Sequence, residues 1–520
     1  MPELDVITIG RSSVDLYGAQ VGGRLEDMVS FNKYIGGSPT NMAAGTARLG
    51  LKSALITRVG DEHMGRFIVE QLQREGVDTR GVVTDKQRLT ALVVLGIRDE
   101  SQFPLIFYRE NCADMAICED DIDPAFIAEA GCVTVTGTHL SHPETEAAVL
   151  KALHLARENG SRTALDIDYR PNLWGLAGHG AGEERFIESD KVTAKLQSTL
   201  HLFDLIVGTE EEFHIAGGST DTLEALKAVR SCSEAMLVCK RGPMGASAFA
   251  GDIPSSLDDG TTGPGFPIEV FNVLGAGDGF MSGLLRGWLT DQEWETTLTW
   301  ANACGAFAVS RHGCAPAYPS WDELQWFLEN GSQYKALRKD SLLEHVHWAT
   351  NRDSKESPGE IADLRHATSE DHSDFKDAGF IADWSEHRDL MYRAIDWDCW
   401  IGRSVQPGET DFREWPLAHR VVCRVGETPA AEVAKTCKSA RTQGLEVMLE
   451  VDGDDSSRLI ELLEEGIWPD YWTLPAQDVV AQCEMLLEKD PWCRGVYCTG
   501  GLGDEHPSIL GTVWAPQDPD

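Results

Sequence analysis

Short apolar runs alternate with amphipathic stretches along the first two thirds of the chain. The apolar runs predict strands at residues 5–9, 54–59, 131–137, 163–167, 203–207 and 235–239, and helical spacing predicts helices at 38–49, 64–75, 144–159 and 221–230. Strands that alternate with helices are typical of a parallel sheet covered on both faces. The pattern therefore predicts an α/β fold.

Two segments depart from this alternation. Residues 24–34 and 90–108 alternate between apolar and polar positions, and no helical stretch follows either of them. Strands of this kind predict a small antiparallel sheet that lies over an active site.

The pattern changes again near the end of this region. Residues 333–378 are polar with little periodicity and predict a linker, partly helical near Leu342, between a domain at 1–332 and another at 379–520. The last region alternates strands (420–425, 446–451, 495–499) with helices (430–442, 456–465, 476–488). Because a complete (β/α)₈ barrel takes roughly 250 residues, we expect a shortened, partial-barrel-like α/β domain.

Composition narrows the classes of function. The 520 residues carry a formal net charge of −39, which would repel nucleic-acid phosphates. The 13 cysteines show no paired spacing and favour a reducing cytoplasm. The sequence has no apolar stretch of about 18 residues, so we expect no membrane partner.

A glycine-rich loop at residues 272–280 offers the first candidate chemistry. Residues 266–271 before it predict a strand, and Phe280, Met281, Leu284, Leu285 and Trp288 after it predict a helix with Asp278 in its first turn. Backbone N–H groups at such a terminus attract a phosphoryl group, and Asp278 can accept a proton from an attacking hydroxyl. The alternative is an ordinary turn in which Asp278 only caps the helix.

A second glycine-rich segment, Gly36 to Ala44, opens another predicted helix. Its glycine pair admits a ligand to the backbone, and Asn41 offers both a donor and an acceptor to a polyol. Alone, it is indistinguishable from a capping turn. Together the two segments resemble the signatures of the ribokinase or pfkB carbohydrate kinase family over residues 3–330. The resemblance implies a ribokinase-like three-layer αβα domain with a small β-sheet lid, and ATP-dependent phosphorylation of a sugar.

The resemblance also implies roles for matching residues. Asp15 is expected to bind sugar hydroxyls, with Gly37 and Asn41 beside it; a solvated loop carboxylate is the alternative for Asp15. Asp278 is expected to be the base. The amides of Gly275, Ala276 and Gly277 are expected to form the anion hole.

The metal and nucleotide segments of the family have partial matches here. The magnesium segment has Thr209 in place of Asn, with Glu212 expected at the metal and Glu211 as its rival; a glutamate-rich helix start is the alternative. A monovalent cation is a further expectation of the family. For ATP, the resemblance implies the residues Lys240, Gly242, Gly245 and Asn302, although small residues around Asn302 also permit close helix packing.

Basic residues indicate the class of sugar. Arg109 lies on a predicted lid strand, and a sugar acid needs such a cation whereas a neutral hexose does not. Arg170 matches a phosphate-side position, with Asp168 replacing the family's Asn. The segments FYRENCADMA, DIDYRPNLW and GTEEEFHIAGG resemble members that phosphorylate the terminal hydroxyl of a keto-deoxy acid in bacterial inositol degradation.

The final region resembles class I aldolases, which form a Schiff base through a lysine. Thr473 stands where that lysine is usual, so we expect a structural or assembly role instead. The alternatives are a kinase of 2-keto-3-deoxygluconate or fructose, a bifunctional kinase–aldolase, and a catalytically silent sugar-binding regulator. The resemblance also implies a homo-oligomer, a dimer formed through the lid strands.

Overall fold

The computed structural model describes residues 2–99, 102–351, 360–365, 379–383, 387, 390, 401–412, 419–451, 456–475, 477, 479–499 and 509–514. The chain divides into two compact units, Met1–Asp340 and Ser341–Asp520. The predicted linker at 333–378 is therefore shared between them. Its residues up to Asp340 belong to the first unit, while the second begins with a helix that buries Leu343 and Val346. Residues 352–359 and 366–378 of that segment lie outside the described range.

Strands and helices alternate through most of the first unit. Its elements are β1 (Leu4–Ile9), β2 (Ser13–Gly18), β3 (Phe31–Gly36), α1 (Ser38–Arg48), β4 (Ser53–Gly60), α2 (His63–Arg74), β5 (Val82–Asp85), β6 (Ala91–Leu95), β7 (Leu105–Tyr108), α3 (Pro124–Ala128), β8 (Ala130–Thr136), α4 (Pro143–Glu158), β9 (Arg162–Asp166), α5 (Asp190–Gln197), β10 (Leu205–Thr209), α6 (Glu210–Gly217), α7 (Thr222–Cys232), β11 (Met236–Lys240), β12 (Ala246–Phe249), β13 (Thr261–Gly263), α8 (Ala276–Leu289), α9 (Trp294–Ser310) and α10 (Trp321–Asn330).

A nine-stranded sheet forms the centre of this unit, in the order β13-β12-β11-β10-β9-β8-β1-β4-β5. Only β12 and β13 run antiparallel to their neighbours. Successive residues of β1 pack on opposite faces, Val6 with Met42 and Met281, and Ile7 with Ala148. Burial on both faces explains the continuous apolar runs, and the predicted three-layer α/β class is confirmed.

The lid is a separate four-stranded sheet in the order β3-β2-β6-β7. It contains the antiparallel pairs β2–β3 and β6–β7, joined by a parallel pair, β2–β6. The predicted small sheet is thus present, with one parallel pair that alternation alone did not reveal.

The strand predicted at residues 266–271 is wrong. This segment has no regular structure, and its N–H groups bond outside any strand: Glu269 to the carbonyl of Lys335 in a loop, and Phe271 to the carbonyl of Val309 in the last turn of α9. The short β13 already occupies that edge of the sheet. Apolar side chains of the segment, such as Phe266 against Phe327, pack on helices instead.

The second unit contains a closed barrel of eight parallel strands in sequence order. Its elements are α11 (Ser341–Asn351), β14 (Glu360–Asp363), β15 (Gly379–Ala382), β16 (Ile401–Val405), β17 (Arg420–Arg424), α12 (Ala430–Thr442), β18 (Glu446–Glu450), α13 (Ser456–Glu464), β19 (Tyr471–Pro475), α14 (Val479–Lys489), β20 (Gly495–Thr499) and β21 (Ile509–Trp514). The expected α/β class is confirmed, but the expected partial barrel is corrected to a closed one. Short strands, such as the four-residue β14 and β15, shorten the domain without opening its sheet.

Candidate active site

One cleft of the first unit gathers most of the predicted site residues. It lies where β1, β9, β10 and β11 end, beside the N-terminus of α8, and lid residues Val93 and Phe107 line its other side. Its predicted members are Asp15, Gly37, Asn41, Asp168, Arg170, Glu212, Lys240, Gly275, Gly277 and Asp278. The carboxyl ends of parallel strands are where α/β folds place ligands.

The backbone before Asp278 requires glycine. Gly275 caps α8 with φ 79°, a left-handed conformation that favours residues without a Cβ. A Cβ on Gly275 would lie 2.7 Å from the Cys314 sulfur and 2.9 Å from the Tyr318 hydroxyl. The Tyr318 hydroxyl donates to the Gly275 carbonyl at 2.9 Å. This turn brings the first amides of α8, including those of Ala276 and Gly277, to the cleft end of the helix, where an anion is favoured.

Two donors from α1 hold the Asp278 carboxylate. The Ser38 hydroxyl donates to one oxygen at 2.7 Å, and the Asn41 amide donates to the other at 2.8 Å. The sequence predicts that Asn41 holds the sugar directly, whereas in the structure its NH₂ group donates a hydrogen bond to Asp278. The Asn41 carbonyl oxygen is buried and has no partner among the described residues. Asn41 therefore orients the candidate base and keeps one acceptor for a ligand.

Asp15 marks the other end of the cleft. Its carboxylate is 7% exposed and accepts a hydrogen bond from the Ser13 hydroxyl at 2.8 Å. Gly36 and Gly37 leave room around it: a Cβ on Gly36 would lie 2.0 Å from Asp15, and one on Gly37 would lie 2.4 Å from the Arg11 carbonyl. Burial raises the pKa of Asp15 to about 6, and the charge of Arg11 offsets part of that rise.

The arginine predicted for a sugar carboxylate is placed elsewhere. Arg109 donates to Asp114 at 2.6 Å, and Asp114 is fully buried, so this guanidinium is committed to an ion pair and does not line the cleft. Arg11, which the sequence analysis missed, lines the cleft with its guanidinium 5.5 Å from the centre of the Phe107 ring. Its Nε is buried without a partner in the described part of the chain. The available signal was its position four residues before Asp15.

Paired charges occupy the end of the cleft nearest α8. Lys240 lies 3.0 Å from Asp166 and 3.4 Å from Glu212, and these two carboxylates more than offset the effect of burial and raise its pKa. Burial raises the pKa of Asp166 and of Asp168, and Asp278 adds to the rise at Asp168. We had expected Lys240 to bind the nucleotide, whereas here it neutralises carboxylates.

Glu212, the residue predicted to hold a metal, has several partners already. One carboxylate oxygen accepts from the Thr209 N–H at 2.7 Å in a capping box, and Arg170 lies 3.8 Å from the other. Burial would raise the pKa of Glu212, but Lys240 and Arg170 lower it. The described residues hold no group of three metal-ligating side chains. Glu212 and Asp168 both line the cleft, and carboxylates of this kind would meet a magnesium ion through the waters that it keeps.

The remaining nucleotide-side residues form a separate group. Gly242 and Gly245 have positive φ angles of 56° and 91°, and a Cβ on Gly245 would lie 2.1 Å from the Gly263 carbonyl. Asn302 of α9 lies beside the same strand, β13, with its amide nitrogen buried and unpartnered in the described structure. None of the three lines the cleft around Asp278.

Among the polar residues that line the cleft, Ser38, Asp166 and Arg185 were also not predicted. Ser38 follows the glycine pair and Asp166 ends a predicted strand, so the sequence held a signal for both. Arg185 lies in an irregular segment after β9, and nothing in the pattern of the chain distinguishes it.

Comparisons with known proteins show the family of the chain. The model of the pfkB family of carbohydrate kinases matches residues 3–321. Two proteins named 5-dehydro-2-deoxygluconokinase are similar: that of Geobacillus kaustophilus is 32% identical over 65% of this chain and 97% of its own, and that of Listeria monocytogenes is 32% identical over 62% and 95%. Among solved structures, a PfkB protein from Polaromonas sp. JS666 (28% identity, TM-score 0.52, 62% of this chain and 99% of its own) is similar. So is the fructokinase of Vibrio cholerae O395 with fructose, ADP and calcium (26%, TM-score 0.53, 63% and 99%).

The conformation at Gly275 yields a stability prediction. Gly275→Ala adds a left-handed strain of about 1–2 kcal/mol and a clash with Cys314 that costs roughly 1–3 kcal/mol more. Gly76→Ala is the matched control, because Gly76 has the same φ of 79° but nothing within 4 Å of its Cβ position. Urea unfolding of the first unit should show the larger loss for Gly275→Ala. Equal losses would mean that the packing around Gly275 is not tight.

Proposed function

The chain belongs to the pfkB family of carbohydrate kinases, and on that basis we propose that it transfers the γ-phosphoryl group of ATP to the terminal hydroxyl of 5-dehydro-2-deoxy-D-gluconate. It is an ATP-dependent sugar kinase by family. The names of its relatives support the choice of substrate. Such a reaction belongs to the degradation of inositol, as the resemblance in the sequence implied.

The observation that carries this proposal is the fixed position of Asp278. Held by Ser38 and Asn41, its carboxylate takes the proton from the attacking sugar hydroxyl. The amides of Gly275, Ala276 and Gly277 face the charge that develops on the transferring group, because they open α8. In-line transfer then needs only that the hydroxyl lies between this carboxylate and the γ-phosphorus.

The opposite end of the cleft supports a sugar acid. Asp15 accepts hydrogen bonds from sugar hydroxyls, and the guanidinium of Arg11, which forms no ion pair with the described residues, faces the substrate carboxylate. A neutral sugar such as fructose would leave Arg11 without the direct carboxylate partner that a sugar acid supplies. Both 5-dehydro-2-deoxygluconate and 2-keto-3-deoxygluconate satisfy that charge, and the names of the relatives favour the first.

Magnesium is the expected companion of ATP. Glu212 and Asp168 would hold it through water, and it would neutralise phosphate charge. A monovalent cation is a further proposal, tested by comparing turnover in potassium and in a large organic cation. For the nucleotide we propose the turn of Gly242 and Gly245 together with Asn302, since Gly245 and Asn302 both lie beside Gly263 of β13.

The second unit is proposed to have a structural or assembly role rather than aldolase activity. Thr473 shares the inner face of the barrel with Tyr471 and is 1% exposed. The lysines of this unit within the described residues lie on helices, Lys435 and Lys438 on α12 and Lys489 on α14. A Schiff base needs an amine, so borohydride trapping with a ketose phosphate should give no adduct at Thr473.

Assembly and location complete the proposal. A dimer through the lids is supported by β3, an edge strand on which Phe31 is 37% exposed, with Val29 before it 87% exposed. A single-chain mass by light scattering would contradict it.

No helix in the described ranges is long and apolar enough to cross a bilayer. The cytoplasm is supported by the use of ATP and by the unpaired state of the described cysteines.

Asp278→Asn tests the mechanism. Loss of the base should lower kcat by at least about 10²-fold, with little change in the KM for ATP. A coupled ADP assay measures both constants. Asp190→Asn is the control, because Asp190 also lies in the first turn of a helix, α5, but outside the cleft. Near-normal turnover of Asp278→Asn would exclude this residue as the base.

Arg11→Met tests the sugar-acid proposal. Loss of an ion pair worth about 1.5–3 kcal/mol should raise the KM for 5-dehydro-2-deoxygluconate by roughly 10- to 100-fold and leave any activity on fructose unchanged. Arg80→Met controls for removal of an exposed, ion-paired arginine. If both substrates weaken equally, Arg11 does not recognise a carboxylate.

The raised pKa of the Asp15 carboxyl predicts how sugar affinity depends on pH. Because its pKa is about 6, the carboxyl is ionised above that pH and accepts sugar hydroxyls, whereas below it the added proton removes acceptor capacity. Calorimetric titration of the sugar without ATP should show affinity falling about tenfold per pH unit below the pKa. Asp15→Asn should bind weakly and without this dependence. A flat profile in the unaltered protein would assign the sugar hydroxyls to another group.

A further inference from the structure

A second arginine besides Arg170 reaches the α8 end of the cleft. Arg185 lies in the irregular segment between β9 and α5, at residues 167–189, and lines the cleft together with Lys240, Gly277 and Asp278. The mechanism above gives it no role.

Arg185 differs from its neighbours in having no counter-charge in contact. Lys240 pairs with Asp166 and Glu212, and Arg170 lies 3.7 Å from Asp168 and 3.8 Å from Glu212. Arg185 makes no hydrogen bond or ion pair with any residue in the described ranges. The charge of Arg170, followed by burial, lowers the pKa of Arg185 to about 10. An arginine keeps its proton at neutral pH, so the two guanidinium groups repel each other, and the charges of Glu212 and Asp168 offset only part of that repulsion.

Contacts of neighbouring residues hold the backbone around Arg185, although the Arg185 side chain itself bonds to no described residue. The Tyr169 hydroxyl donates to the Ile187 carbonyl at 2.5 Å, and the Phe186 ring lies edge-on to Tyr169 and His214 at 6.5 and 6.1 Å. Toward the lid, Gly182 packs so closely that a Cβ there would lie 2.3 Å from the Leu105 carbonyl of β7. The segment is therefore anchored on both sides of Arg185.

We propose that Arg185 is a further catalytic residue, whose guanidinium contacts the phosphoryl group in transfer opposite Arg170, and that the packing of Gly182 on β7 sets its position. The inference rests on the proposed phosphoryl transfer. In that step the bond from the γ-phosphorus to ADP breaks, the bond to the sugar oxygen forms, and the sugar proton passes to Asp278. Arg185 keeps its protons and donates hydrogen bonds to the equatorial oxygens, where charge is concentrated.

Arg185→Gln should lower kcat by about 10²-fold or more, with a change of less than about threefold in either KM. Affinity for ADP with aluminium fluoride, a mimic of the group in transfer, should fall at least tenfold, while affinity for ADP alone stays constant. Added ethylguanidinium should restore part of the turnover of Arg185→Ala. Arg74→Gln, on the exposed end of α2, is the control.

Turnover of Arg185→Gln within about twofold of the unaltered enzyme, or a rise in KM alone, would overturn the role of Arg185. The proposed function would still stand if Asp278→Asn were inactive. Inactivity of the unaltered protein on every sugar acid would instead remove the premise.

Gly182→Ala tests the positioning role, with Gly180→Ala as its matched control because nothing lies within 4 Å of a Cβ at Gly180. Gly182→Ala should lower kcat about tenfold under conditions in which urea unfolding shows that the variant is still folded, and it should add nothing to the loss in Arg185→Gln. Additive losses, or unchanged turnover, would show that packing on β7 does not place Arg185.

Discussion

The orientation of one carboxylate by a distant helix is the interaction on which the cleft depends. Ser38 and Asn41 precede Asp278 by 240 and 237 residues, so the Asp278 carboxylate is aligned only when α1 and α8 are packed together. That packing is close: a Cβ on Gly45 of α1 would lie 2.3 Å from the Ser282 hydroxyl of α8. Small residues at the contact between the two helices therefore set the orientation of the Asp278 carboxylate.

Electrostatics impose the second condition. For the proposed reaction, a chain with a net charge of −39 would have to bind two anionic substrates beside a cluster of its own carboxylates. Its cations are divided between two tasks: Lys240 neutralises Asp166 and Glu212, while Arg11 and Arg185 line the cleft and form no ion pair within the described ranges. Cations such as Arg11 and Arg185 raise the free energy of the empty site and lower the free energy of the site once its anionic ligands are bound.

Sequence patterns predicted local features well and long-range pairing poorly. The parallel sheet, the lid, and Asp278 in the first turn of α8 followed from periodicity and glycine placement, because both depend on near neighbours along the chain. The strand predicted at 266–271 was wrong because a strand needs a partner strand, and the hydrogen bonds of this segment go to a loop and to the last turn of α9. The sequence indicated Arg109 and missed Arg11 for the same reason, because only the fold shows that Arg109 forms an ion pair with Asp114. No sequence pattern indicated Arg185, because what distinguishes it is its position in the cleft without an ion pair to any described residue.

Closure of the barrel has a consequence for the order of events during synthesis. The first strand of the barrel, β14, pairs with the last, β21, with Ile361 opposite Val513. Until residues 509–514 have been made, β14 and β20 both present open edges that invite pairing with other chains. All strands of the first unit precede Asp340, so its sheet can form before the last strand of the barrel has been synthesised. A ribosome-bound chain would then carry a finished kinase domain ahead of an unfinished barrel, and the barrel is where chaperone assistance would be needed.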